Sequence, residues 1–306
     1  MLGGPGDLFV TDATTKILSL WPRKWLKGFL LLGAGSYLLM VLLVAVFQRH
    51  LVYLPTIISM DLARQLAVQR GVVPWLNSRG EIIGWRMPAR SPASGSVLIV
   101  HGNGGTALRL TDLAASIRDS LNLDGYLLEY PGYGQRGGTP SEASLLAAAD
   151  EGWETLPTNR PGYVVSESLG TGVAAHLAQK YPTQVAGLLM FVPYDRLASV
   201  AQSHYPFLPA YLLLQDRFAP VDWLADYHGP VKIVLAGADQ VIPIARGQAL
   251  YDGYRGPKSL QIVPGAGHGD TIEQSPQWWR EVMQFWDKNG LNSWSEVRKR
   301  EVSAGN

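Results

Sequence analysis

The sequence predicts an α/β protein: a mostly parallel sheet covered by helices, preceded by one N-terminal transmembrane helix. Three observations carry that prediction. Gly28–Phe47 holds no charged residue, short apolar runs flanked by Gly or Pro recur from about residue 70 onward, and helix-length stretches separate those runs. Short continuous apolar runs suit strands buried on both faces. Their alternation with helices suits parallel strands joined by crossovers.

Composition narrows the field. Of 306 residues only 17% are charged, against roughly 25% in a typical soluble domain. Lys and Arg number 26 and Asp and Glu 25, so the net charge of +1 leaves no electrostatic footprint for nucleic acid. The absence of cysteine excludes disulfides, thiolate metal sites, iron–sulfur clusters, a cysteine nucleophile and a lipidated N-terminal cysteine.

The uncharged run GFLLLGAGSYLLMVLLVAVF explains part of the low charge. At about 1.5 Å per residue it spans about 30 Å, the thickness of a bilayer core. Lys16, Arg23, Lys24 and Lys27 precede it with Trp21 and Trp25, while Arg49, His50 and Tyr53 follow. The stronger basic cluster lies on the N-terminal side. Residues 1–27 are therefore expected in the cytoplasm, residues 28–48 in the bilayer, and the remainder in the periplasm or a lumen. A buried core helix is rarely uncharged over such a length. A cleaved signal peptide needs a small-x-small site, which Val46-Phe47-Gln48-Arg49-His50 does not supply. The segment reads as an uncleaved signal anchor.

Beyond it, Val72–Leu76 and Glu81–Met87 read as a hairpin across Asn77-Ser78-Arg79-Gly80. The strands that follow are Ser96–Val100, Gly125–Tyr130, Gly162–Val165, Val185–Phe191, Val231–Ala236 and Ser259–Val263. The helices between them are Ala107–Leu121, Ser141–Leu156, Leu169–Tyr181 and Pro243–Tyr254, with Ser275–Lys288 last. The interval between Phe191 and Val231 is too long for one crossover. It reads as a small helical insertion, a cap at about 193–230, with helical stretches at Ser203–Tyr211 and Leu212–Asp226. The expected organisation is a main domain over 49–289 and a polar tail over 290–306 carrying Arg298-Lys299-Arg300.

Ligands of open parallel sheets sit at the carboxyl ends of the strands, which makes the residues there the first candidates for a site. Ser166-Glu167-Ser168-Leu169-Gly170 joins the strand GYVV to the helix VAAHLAQKY. A serine between two small residues at a strand-to-helix turn has the form of a nucleophile elbow, G-x-S-x-G, with Ser166 standing for the first glycine. The competing reading is a helix start capped by Ser168.

A serine hydroxyl needs a base. His268, in Gly265-Ala266-Gly267-His268-Gly269 just past the last strand, lies on the correct sheet edge. His50 flanks the anchor, His176 lies mid-helix, His204 and His228 fall in the insertion, and His101 precedes the serine among neighbours suggesting another role. The base needs an orienting carboxylate, for which Asp239, after VKIVLAGA, fits and Asp195 is the runner-up. Asp270 reads instead as the N-cap of the final helix, with Glu273 three residues on. Oxyanion donors are expected from the N–H groups of Leu169 and of Asn103, in His101-Gly102-Asn103-Gly104-Gly105. That loop lacks the spacing of a phosphate-binding motif. No His, Asp and Glu cluster has metal-ligand spacing, and no cofactor is implied.

These segments together resemble the α/β-hydrolases from about Gln48 to Lys288. The resemblance points to the membrane-anchored Bem46 branch and to the hydrolase-domain proteins 13 and 17, the last being depalmitoylases. It is carried by Gln48–Pro55, VLIVHGNGG, YPGYGQRGGTPSE, Tyr205-Pro206, Asp216-Arg217-Phe218, GADQVIP and GAGHGD. It implies Ser168 as nucleophile, Asp239 as acid and His268 as base. The chain departs from that pattern at Ser166, where glycine is usual, and at Glu129-Tyr130-Pro131, where Asp-Tyr-Arg is usual.

The expected activity is hydrolysis of a carboxylic ester or thioester through an acyl-enzyme, on a small, lipid-like or acylated substrate. Dehalogenases and epoxide hydrolases of similar fold carry aspartate at the elbow, and this chain does not. A serine peptidase or an acyltransferase would use the same three residues, and a non-catalytic anchored scaffold is the remaining alternative. The apolar insertion residues Tyr205, Phe207, Leu208, Tyr211, Leu212, Leu213, Leu214 and Trp223 read mainly as the insertion's own packing.

Overall fold

The computed structural model describes residues 23–290. Lys16, Trp21 and the rest of the leading segment lie outside the described residues, as does the tail at 291–306 with its basic cluster. The chain divides into two compact units, one ending at Gln48 and the other beginning at Arg49.

The apolar run forms helix α1, Arg23–Val52. It is longer than the uncharged core because Lys24, Lys27 and the Gln48–Val52 stretch continue the helix on either side. It is the one helix among the described residues long and apolar enough to cross a membrane, and its apolar window has no buried side chain.

A helix not expected from the sequence follows, α2 (Met60–Arg70). Ser59 caps it by accepting from the Leu62 N–H, and Gly71 ends it with φ of 67°. Its buried residues are only Ala63 and Ala67, too small to print an amphipathic stripe.

Eight strands form a single sheet: β1 (Val73–Leu76), β2 (Ile82–Met87), β3 (Ser96–Val100), β4 (Asp124–Leu128), β5 (Gly162–Glu167), β6 (Val185–Phe191), β7 (Val231–Ala236) and β8 (Lys258–Val263). Their order is β1-β2-β4-β3-β5-β6-β7-β8. β2 runs antiparallel to β1 and β4, while every pairing from β4 through to β8 is parallel. The expected strands are all present. The hairpin turn is fixed by the Asn77 carboxamide oxygen, which accepts from the Arg79 and Glu81 N–H groups.

Alternate strand residues enter opposite cores. Leu98, Val100, Val164, Leu188 and Met190 join one cluster, and Val97, Ile99, Tyr163, Val165, Leu189 and Phe191 join the other. Burial on both faces is why these strands read as unbroken apolar runs. Helices α4 (Glu142–Glu154) and α5 (Gly170–Lys180) fill the first core, whereas α2, α3 (Thr111–Leu121) and the last helix fill the second. The expected helix Ala107–Leu121 opens instead with a 3₁₀ turn at Ala107–Leu110.

The insertion is more broken than expected. It holds α6 (Leu197–His204), α7 (Ala210–Leu213), α8 (Pro220–Trp223) and a 3₁₀ turn at Leu224–Asp226. Pro206 and Pro209 lie in the break between α6 and α7, where a proline cannot supply the helical N–H. The reading of its apolar residues as internal packing holds for Leu214, which is buried, but not for Tyr205, Phe207, Tyr211 and Leu212, which are exposed.

Helices α9 (Ile244–Gly253) and α10 (Pro276–Asn289) complete the fold. The expected Asp270 cap is corrected: Ser275 caps α10 by accepting from the Trp278 N–H, because Pro276 fixes the first helical turn after it. The Asp270 carboxylate accepts from the Gly267 N–H instead.

Candidate active site

Strand β5 ends at Glu167 and α5 begins at Gly170, leaving Ser168 and Leu169 to make the turn. Ser168 has φ of 52°, a left-handed conformation that costs a non-glycine residue about 1 kcal/mol or more. The Ser168 N–H is held by the Phe191 carbonyl at 3.0 Å, and its carbonyl accepts from the Thr171 N–H at 2.9 Å. Gly170 permits the close approach: a Cβ there would lie 2.8 Å from the carbonyl oxygens of Val100 and His101. The first glycine of the usual pattern is not needed. The buried Ser166 donates its hydroxyl to the Leu189 carbonyl at 3.1 Å.

The Ser168 side chain does not cap α5, which has no side-chain cap. Its Oγ lies 2.9 Å from His268 Nε2, and His268 Nδ1 lies 2.7 Å from Asp239 Oδ2. An ionised carboxylate can only accept, so Nδ1 carries the ring proton when the ring is neutral, leaving Nε2 free to accept from Ser168. Asp239 Oδ1 in turn accepts from the Val241 and Ile242 N–H groups, both at 2.8 Å. Burial pushes the Asp239 pKa up, but the His268 hydrogen bond and those two N–H groups outweigh it and hold the carboxyl below its ordinary value. Asp239 thus stays charged opposite the ring.

The runner-up carboxylate is not in this chain of contacts. Asp195 accepts from the Ser199 hydroxyl at 2.9 Å and lies 3.6 Å from the Arg246 guanidinium. Two of the other histidines have partners elsewhere. His176 pairs with Asp150 at 3.0 Å, and His204 lies 2.8 Å from the Val241 carbonyl.

Parallel pairing of β3 with β5 sets Val100 opposite Ser166, which brings the loop after β3 alongside the elbow. A Cβ on Gly102 would lie 3.1 Å from that of Ser168. Among the described residues, neither the Asn103 N–H nor the Leu169 N–H donates to another protein group. Both N–H groups expected as oxyanion donors are thus unengaged, and Leu169 stands at the N-terminus of α5, whose positive end favours developing negative charge.

Three features were not read from the sequence. His101 is buried with Nε2 3.1 Å from Glu129 Oε1, although neither atom makes a well-directed hydrogen bond. The His101 ring packs on Tyr130 and Tyr133. A Cβ at Gly134 would overlap the Glu129 carboxylate, so the longer acid at this position fills space that the glycine leaves. Glu167, the residue ahead of Ser168, is the second feature. Burial raises its carboxyl pKa, partly opposed by His268, His101 and Arg109. The third is the strain at Val192, whose φ of 44° is an outlier for a β-branched residue, at the end of the strand next to the elbow. The His101–Glu129 pairing left a partial mark, in a histidine that ends a strand and an acid that departs from Asp-Tyr-Arg, and Glu167 was legible only as an unassigned position of the motif; Val192 leaves no sequence signal. Among the described residues no group of three or more His, Asp or Glu could hold a metal ion.

No family model matches the chain. It is 35% identical over 231 residues to the uncharacterized protein Rv2307c of Mycobacterium tuberculosis, covering 73% of this chain and 81% of that one. It is 29% identical over 214 residues to alpha/beta hydrolase domain-containing protein 17B of Xenopus tropicalis, covering 68% and 72%. In fold it is similar to the esterase PF2001 of Pyrococcus furiosus, with a TM-score of 0.55 and 15% identity over 71% of this chain and 90% of that one. A parallel sheet in this order, an elbow between β5 and α5, and relatives of this kind lead to one assignment: the chain belongs to the α/β-hydrolase family.

Proposed function

We propose that the chain is a membrane-anchored serine hydrolase that cleaves carboxylic ester or thioester bonds through an acyl-enzyme. The observation that carries this reading is the position of His268, within hydrogen-bonding distance of Ser168 on one side and Asp239 on the other. Ser168 Oγ attacks the acyl carbonyl while His268 Nε2 takes the hydroxyl proton, and Asp239 stabilises the imidazolium. The N–H groups of Asn103 and Leu169 receive the charge that gathers on the carbonyl oxygen. Collapse of the tetrahedral intermediate expels the alcohol or thiol, which takes the proton from His268. Water then enters, gives a proton to His268, and attacks the acyl-Ser168 ester to release the acid and restore the hydroxyl.

The anchor is α1, with the basic cluster before it in the cytoplasm and the hydrolase domain, 49–289, on the far side of the membrane. Exposed Tyr205, Phe207, Tyr211 and Leu212 on the insertion favour lipid-like or acylated substrates. Turnover of p-nitrophenyl esters and acyl thioesters of graded chain length, by detergent-solubilised protein, tests the reading. It predicts activity on esters or thioesters that Ser168→Ala abolishes. Activity confined to amides would make the chain a peptidase, and acyl transfer to an alcohol in preference to water would make it an acyltransferase.

A further inference from the structure

The loop after β3 contains Gly102, Gly104 and Gly105, and Gly104 has φ of 71°. Glycine gives a backbone little stiffness of its own, yet an oxyanion donor helps only when it is fixed before the reaction begins. The Asn103 carboxamide supplies the missing restraint. Its Nδ2 donates to the Val52 carbonyl at 2.6 Å. Its Oδ1 accepts from the Leu54 N–H at 2.9 Å, the Gly104 N–H at 3.1 Å and the Tyr133 hydroxyl at 2.7 Å. Bonding to the carbonyl and the N–H on either side of Tyr53, the side chain imitates a neighbouring strand. A carboxamide carries the donor and the acceptor that this requires on two separate atoms.

The segment it grips is held at both ends. At the front, the Arg49 guanidinium donates to both Asp216 oxygens at 3.1 and 3.2 Å, and the buried Tyr53 hydroxyl donates to the same carboxylate at 3.0 Å. At the back, the Gly134 N–H donates to the Thr56 carbonyl at 2.8 Å and the Ile58 N–H to the Gly134 carbonyl at 2.9 Å. Between these ends the Thr56 hydroxyl donates to the Gly104 carbonyl at 2.6 Å, a second tie to the same loop. Thr56 is exposed and packs in no core, so this tie is a matter of loop position more than of folding.

We propose that residues 49–58 form a positioning strap for the oxyanion loop, with the Asn103 carboxamide as its principal clasp and Thr56 as a second. The proposal rests on the reading of Ser168, His268 and Asp239 as a catalytic triad. The Asn103 side chain is a positioning group in this scheme, while its backbone N–H meets the substrate.

The test uses the full chain in detergent, with p-nitrophenyl butyrate as substrate and an alkyl trifluoromethyl ketone as inhibitor. The ketone forms a hemiketal: its carbonyl carbon bonds to Ser168 Oγ, the hydroxyl proton passes to His268, and the resulting oxyanion occupies the hole. Asn103→Ala is expected to lower kcat about 10- to 100-fold and to weaken the ketone by a similar factor, with KM within about threefold. Thr56→Val shifts both in the same direction by less, and Thr56→Ser, which keeps the hydroxyl, restores both. Thermal unfolding of Thr56→Val stays at the wild-type temperature. The proposal is overturned if both variants keep wild-type kcat and ketone affinity, if the loss falls entirely in KM, or if Thr56→Ser is no better than Thr56→Val. A wild type that neither hydrolyses the ester nor binds the ketone removes the triad reading itself, whereas an active wild type matched by its variants removes only the strap.

Discussion

The hydroxyl of Ser166 donates to the carbonyl of Leu189 across the boundary between β5 and β6, 3.1 Å away and shielded from water. The bond explains how the elbow accepts a serine where glycine is usual: the extra atoms lie against the neighbouring strand and are hydrogen-bonded there. Ser166→Gly should therefore leave the reaction of Ser168 with a fluorophosphonate unchanged. It should destabilise the fold by about 1–2 kcal/mol, from one lost buried hydrogen bond and one flexible strand residue. Thermal unfolding alongside labelling rates checks both halves.

Two carboxylates follow strands at the site, and only Asp239 reaches His268. Asp239→Asn removes the acceptor that keeps the proton on Nδ1, and kcat should fall about 10³- to 10⁴-fold with the fold intact. Asp195→Asn keeps an acceptor for Ser199 and should lower kcat by no more than about threefold. Steady-state turnover of one ester by the two variants decides between the acids. Equal losses would remove the assignment of Asp239.

Glu167 gives the protein a pH dependence of its own, beside that of the triad. Burial raises its folded pKa above the value of about 4.3 expected when unfolded. A carboxyl raised in this way adds stability that is complete below the unfolded pKa and is lost as pH rises through the folded pKa. Glu167→Gln removes that loss. The unfolding temperature of the variant, relative to wild type, should be higher at pH 8 than at pH 4. A difference that does not change with pH would place the Glu167 carboxyl outside this linkage.

The core behind the site depends on Trp286, which is buried and stacks on Tyr163 at 4.6 Å between centroids. Its Nε1 donates to the Leu188 carbonyl at 3.2 Å, and Gly187 leaves the space its ring occupies. Trp286→Ala should cost about 3–5 kcal/mol through the cavity alone. Urea unfolding measures it, and a loss under about 1 kcal/mol would mean that the site collapses around the deletion.

The strands and the candidate site residues each leave a local mark in the sequence. Buried parallel strands print as apolar runs, and Ser168, Asp239 and His268 each follow one of them. The features that were not legible depend on contacts between distant segments or on residues with no pattern. Helix α2 buries only two alanines, so no periodic stripe announces it. The broken insertion follows from where Pro206, Pro209 and Pro220 fall, which fixes interruptions but not the helices between them. The start of the final helix was legible, and only its cap was misread: Ser275 caps it because Pro276 favours the first helical position, a signal that outweighs the acidic pair Asp270 and Glu273. The Asn103 carboxamide was readable as a loop residue, but its partners Val52 and Leu54 lie far back in the chain.

The most direct test of the central claim is covalent labelling of the full-length detergent-solubilised protein with a fluorophosphonate, read by intact mass and peptide mapping. An activated Ser168 predicts one adduct per chain, located on Ser168, absent in Ser168→Ala and slowed about 10³-fold or more in Asp239→Asn. A folded wild-type protein that acquires no adduct, or acquires it on another residue, would contradict the account.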